Sequence, residues 1–146
     1  MPRAERYLWG IYSRKTHRLA EVEAMVVLQS DDGNVACVGT LRRLREEDLP
    51  QVDRQVEDAL GMDCYGRTVL VDLSRLHAID SSGFAWLIRH QLRMRREGGQ
   101  MILHSASPEL REVLSRLKME LLFPIAKDRE SARRLARAKR TASETG

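Results

Sequence analysis

Residues 68–99 decide the architecture. They read Thr68-Val69-Leu70-Val71-Asp72-Leu73, a loop Ser74 to Asp80, then Ser81-Ser82-Gly83-Phe84-Ala85-Trp86-Leu87-Ile88-Arg89-His90-Gln91-Leu92-Arg93-Met94-Arg95-Arg96 and Glu97-Gly98-Gly99. The first six are a nearly continuous β-branched and aliphatic run, the pattern of a strand covered on both faces. Ser82 to Arg96 reads as a helix, because Phe84, Leu87, Ile88, Gln91 and Leu92 recur at i, i+3, i+4, i+7 and i+8 and give one buried stripe. On that spacing Phe84 is expected in the core and Trp86 off the stripe. The paired glycines stop the helix.

The pattern repeats outward. Met101-Ile102-Leu103 is a short strand, and Ser107-Pro108 opens a helix with serine as N-cap and proline in the first helical position. Leu110, Val113, Leu114 and Leu117 form its buried stripe. After Leu121-Leu122-Phe123-Pro124-Ile125, Asp128 to Lys139 reads as a last helix and Thr141 to Gly146 as a frayed tail. Upstream, Glu46 to Leu60 is helical on the spacing of Leu49, Val52, Val56, Ala59 and Leu60, ended by Gly61. Met25 to Gln29 and Val35 to Val38 are strands joined through Asp31-Asp32-Gly33-Asn34, turn chemistry that makes them a hairpin. Residues 1–22, with Tyr7, Trp9 and Tyr12, form an extension that suits either an added edge strand or a docking arm. Three segments follow: extension 1–22, domain 23–139 and tail 140–146. Strands alternating with helices imply an α/β sheet with parallel crossovers.

The bulk properties narrow the class. A chain of 146 residues supports one core, and 42% hydrophobic with 32% charged residues is a soluble globular balance. No apolar run is long enough for a membrane span, and Met1 to Arg6 lacks a signal-peptide pattern, so the expected location is cytoplasmic. Cys37 and Cys64 sit in no CxxC or Cys/His cluster, and His17, His77, His90 and His104 are scattered, so no metal or other cofactor is indicated. No phosphate-binding glycine loop or nucleophile–His–Asp pattern appears, and the sequence gives no sign of an enzyme. Net charge is +4, with basic residues gathered near both ends, notably Arg133, Arg134, Arg137, Lys139 and Arg140. Such ends can touch nucleic acid, anionic lipid or an acidic partner, or be a solvated helix face and tail, and direct nucleic-acid binding is not the expected role.

The loop before the central helix holds Asp80-Ser81-Ser82-Gly83. It places an acid and two hydroxyls at a helix start, where free backbone N–H groups and the helix dipole favour negative charge. Ser81 or Ser82 could serve simply as helix cap. A phosphate on Ser81 would add about −1.5 to −2 charge beside Asp80.

Residues 24–137 resemble the STAS domain, the anti-anti-sigma factor family. The resemblance rests on the strand ending Asp72-Leu73-Ser74, then Ile79-Asp80-Ser81-Ser82-Gly83, Gly98-Gly99, Ser107-Pro108 and Leu122-Phe123-Pro124-Ile125 in that order, with Val38-Gly39-Thr40-Leu41 ending the second strand. It implies a STAS-like α/β fold, a mixed central sheet of four to five strands with four helices packed on it. It implies further an anti-sigma factor antagonist whose phosphoacceptor is Ser81. Unphosphorylated, such a protein sequesters an anti-sigma factor that is also a serine/threonine kinase; phosphorylation breaks the complex, and a metal-dependent serine phosphatase restores it. The expected partner surface is Asp80, Ser81, Ser82, Gly83, Trp86 and Arg89, with Trp86 as an exposed anchor. A homodimer is compatible with this reading.

Three departures qualify the resemblance. Phe84-Ala85-Trp86 replaces the usual small residues and leucine, Lys118 stands where a helix-ending glycine is usual, and the terminal extensions exceed the minimal domain. The basic ends and the N-terminal aromatics favour an alternative, a non-phosphorylated STAS scaffold in a lipid-transport or signalling assembly.

Overall fold

The computed structural model describes residues 26–40, 42–61 and 63–145. The N-terminal aromatics Tyr7, Trp9 and Tyr12, and Leu41 of the second-strand motif, lie outside them. The chain runs β1 (Val26–Asp31), β2 (Val35–Thr40), β3 (Arg43–Leu44), a 3-10 turn (Glu46–Asp48), α1 (Leu49–Leu60), a second 3-10 turn (Cys64–Gly66), β4 (Thr68–Asp72) and β5 (Ala78–Ile79). It continues through α2 (Ser81–Arg96), β6 (Gln100–His104), α3 (Pro108–Arg116), a third 3-10 turn (Met119–Leu121), β7 (Ile125–Ala126) and α4 (Arg129–Thr145).

The main sheet has the order β1-β2-β4-β6-β7. The β1–β2 pair is the expected hairpin, and the remaining neighbours are parallel. Side chains alternate across it. Val69, Val71, Met101 and Leu103 join the large core beneath α1, α2 and α3, whereas Cys37, Leu70, Ile102 and Ala126 meet α4 on the opposite face. α4 comes close because the residues it buries, Ala132 and Ala136, are small and four apart. It runs to Thr145, past the expected stop at Lys139, because no glycine or proline interrupts residues 129–145.

Gln91 explains why a polar residue belongs on the buried stripe of α2. It is fully buried, and its Oε1 accepts from Met101 N at 2.7 Å while its Nε2 donates to Met101 O and Leu122 O, both at 3.1 Å. β7 pairs with β6 only at Leu103 and His104. One amide side chain therefore satisfies the backbone groups of Met101 that the short strand does not reach.

α3 opens as the sequence suggests, with Ser107 Oγ accepting from Leu110 N at 3.1 Å. After α3, Lys118 takes φ +56° in the left-handed region that the usual glycine would occupy without strain. Cys37 and Cys64 are buried, and neither forms a disulfide.

Candidate functional site

The Asp80 corner is built from two distant stretches. Arg43 pairs with Ala78 and Leu44 with Ile79 in a two-stranded parallel ladder, and Arg42 O accepts from His77 N and Ala78 N at 2.9 and 3.1 Å. At its end Asp80, in extended conformation, caps α2: its Oδ1 accepts from Gly83 N at 2.9 Å and its Oδ2 from Glu46 N at 3.1 Å. These donors hold the Asp80 carboxyl below the usual carboxylate range. Gly83 is required by contact. A Cβ there would lie 2.2 Å from Leu44 O, so any side chain would push β3 off the first turn of α2.

Asp80 therefore takes the capping role that Ser81 or Ser82 could have filled. Ser81, the first residue of α2, is exposed; Ser82 is half-buried. Arg89 is exposed two turns along, and α2 carries Arg89, Arg93, Arg95 and Arg96 with no acidic residue.

Two expectations on α2 are corrected. Its buried residues are Gly83, Trp86, Leu87, Gln91 and Met94, and Leu92 is exposed. The stripe is rotated toward α1, because Gly83 must face β3. Trp86 is consequently core, at 7% exposure, and not the anticipated surface anchor. Its Nε1 donates to Asp53 Oδ1 at 2.7 Å and its ring meets His90 at 4.2 Å between centroids. His90 Nε2 lies 3.3 Å from the same Asp53 oxygen, and Nδ1 lies 2.9 Å from Tyr65 Oη. Burial lowers the His90 pKa against the opposing pull of Asp53. Arg93 covers the Tyr65 ring at 3.7 Å. Phe84, expected in the core, is half-buried at its edge. With Ile79, Ser107, Leu110 and Val113 it lines a half-open groove of about 370 Å³ between the Asp80 corner and α3.

The sequence reading missed the 42–45 segment and ran the helix of Leu49–Leu60 back through the 3-10 turn at Glu46–Asp48. Two-residue strands carry no periodicity, and a backbone N–H such as that of Glu46 leaves no trace in side-chain identity. The legible signal was the acid Asp48, buried at 2% exposure, where it accepts from Arg45 N at 3.0 Å and pairs with Arg43 at 3.2 Å.

A mixed sheet with helices on both faces, and an exposed serine at a helix start pinned by an aspartate cap, define a small α/β module with a hydroxyl presented at one corner. Residues 22–132 match the STAS domain family, and the chain belongs to it. It is 31% identical over 99 residues, 67% of its length and 81% of the relative's, to a candidate anti-sigma factor antagonist, BtrV, of Bordetella bronchiseptica. Two solved structures share the fold. One is a candidate anti-sigma factor antagonist of Thermotoga maritima, with TM-score 0.68 and 20% identity over 77% of this chain and 95% of that one. The other is the Bacillus cell-fate determinant SpoIIAA in its phosphorylated form, with TM-score 0.55 and 20% identity over 75% of this chain and 98% of that one.

Proposed function

We propose that this protein is an anti-sigma factor antagonist switched by phosphorylation of Ser81. Unphosphorylated, it sequesters an anti-sigma factor with serine kinase activity through the corner formed by Asp80, Ser81, Ser82 and the Arg89 side of α2, while Gly83, expected on that surface, is buried against Leu44 and only shapes it. A serine phosphatase reverses the modification. The observation that carries this reading is the exposure of Ser81 at the start of α2 while Asp80 makes the capping bond, which leaves the Ser81 hydroxyl open to a kinase. The BtrV likeness supports the antagonist class.

The magnitudes suit a local switch. A phosphate of about two charges roughly 6 Å from one carboxylate is repelled by about 1–5 kcal/mol at effective dielectrics of about 80 to 20. Swinging a two-state equilibrium from 1:99 to 99:1 takes about 5.5 kcal/mol. Desolvating the dianion at an interface supplies the remainder, so the domain need not refold.

The test is intact mass after incubation with ATP and an anti-sigma factor of the serine-kinase type. One added phosphate that disappears in Ser81→Ala supports the reading, as does Ser81→Asp losing affinity for the unmodified partner in calorimetry. No mass gain and unchanged affinity would refute it.

A further inference from the structure

The segment that Asp80 pins beside the start of α2 carries two cations, Arg45 near Ser81 in register and Arg42 farther back. Arg42 and Arg45 are both exposed, and neither forms an ion pair among the described residues. Arg43 between them is engaged by Asp48. The backbone fixes how near they stand. Arg42 O accepts from His77 N and Ala78 N, and Glu46 N, the atom next after the Arg45 carbonyl, is 3.1 Å from Asp80 Oδ2. The Arg45 Cα is about 2.4 Å from Glu46 N by standard geometry, and a guanidinium extends roughly 7 Å from its Cα. Continued past Leu44 and Ile79, the β3–β5 register sets Arg45 opposite Asp80, so its side chain is long enough to reach the space outside Ser81, whereas Arg42 lies opposite His77, roughly 13 Å back along the strand. Two further contacts hold the segment in place, the β3–β5 ladder and the close approach of Leu44 O to Gly83.

We propose that a phosphoryl group on Ser81 is bound within the same chain by Arg45, with Arg42 adding a weaker, longer-range attraction. Guanidinium pairs with phosphate through parallel charge-assisted hydrogen bonds. The α2 N-terminus adds its own favourable field. Phosphorylation then does more than repel a partner. It draws the Arg45 side chain, on a backbone already fixed, across the first turn of α2 and covers the corner that a partner must touch. The clamp offsets the repulsion from Asp80, so the phosphorylated corner is a closed, partly neutralised surface.

The proposal rests on Ser81 as phosphoacceptor, but its test needs no cellular kinase. Phosphoserine is installed at position 81 by codon reassignment, and the second ionisation of the phosphate is followed by 31P NMR against pH. Removing one guanidinium at this range, as in Arg45→Ala, should raise the titration midpoint by about half a pH unit. Arg42→Ala/Arg45→Ala should raise it further, and Arg45→Lys should restore most of the shift. Arg54→Ala, an exposed charge on α1, serves as control. A double variant whose midpoint coincides with the parent's, or an Arg54→Ala shift equal to that of Arg45→Ala, overturns the clamp. Absence of phosphate transfer in the kinase assay would instead defeat the cellular role of Ser81 and leave this titration unaffected.

Discussion

The Asp80 carboxylate and the Glu46 backbone N–H meet at 3.1 Å across 34 positions of sequence. The same carboxylate caps α2 at Gly83, so one side chain fixes both the start of α2 and the segment leading into α1. Asp80 is thus first a structural acceptor, and any contact it makes with a partner is made by a side chain already in use.

Gly83→Ala probes that junction sterically. The added Cβ would meet Leu44 O at 2.2 Å, and a backbone atom held in the β3–β5 ladder does not yield as a flexible side chain would. The expected cost is about 1–3 kcal/mol by chemical denaturation, with lost amide protection at Glu46 and Gly83. An unchanged unfolding midpoint would show that β3 is not held against α2.

Trp86→Ala should be a stability variant. Truncating a buried indole costs about 3–5 kcal/mol. Trp86→Phe, which keeps an aromatic ring but gives up the bond to Asp53, should lose about 1–2 kcal/mol. Equilibrium unfolding separates the two, and a full-strength Trp86→Ala fold with weakened partner binding would return Trp86 to the surface.

Acidification should weaken the fold through His90 and His104, both of which burial holds below the ordinary histidine pKa. The unfolded chain takes up these protons first. Their contribution is therefore complete above about pH 6.5 and declines as pH falls toward the folded-state values. His90→Gln should flatten the slope of unfolding free energy between about pH 7.5 and 5. A slope identical to the parent's would remove His90 as a contributor.

Lys118→Gly should raise the melting temperature. Lys118 holds φ +56°, and relieving that backbone strain is worth about 1 kcal/mol. A lower melting temperature would mean that the lysine side chain contributes more than its backbone costs.

The alternation of apolar runs placed the hairpin, β4, β6 and α1 to α3 within a few residues, because burial imposes period on sequence. Ser107 and Pro108 marked the start of α3 for the same local reason. The rotation of α2 was hidden: Phe84, Ile88 and Leu92 are as apolar as the residues that are buried, and only the approach of Leu44 to Gly83 selects the face. Trp86 was misplaced by that rotation; its partner Asp53 comes from α1, 33 positions away, and its neighbour His90 is in turn held by Tyr65 of a third element. The exposed serine at the helix start was legible from Asp80-Ser81-Ser82-Gly83, but which residue caps was not, since aspartate and serine are comparable caps.

Gln91 has a bearing on assembly. A sheet edge with open rungs is a template for another strand, and proteins need some device to blunt it. Ahead of β7 the rung at Met101 is already taken by the Gln91 amide. An incoming chain would have to evict a side chain buried in the core and strand its three bonds. Strand addition at that rung is thereby discouraged, which leaves only the two residues of β7 as an open edge on that flank.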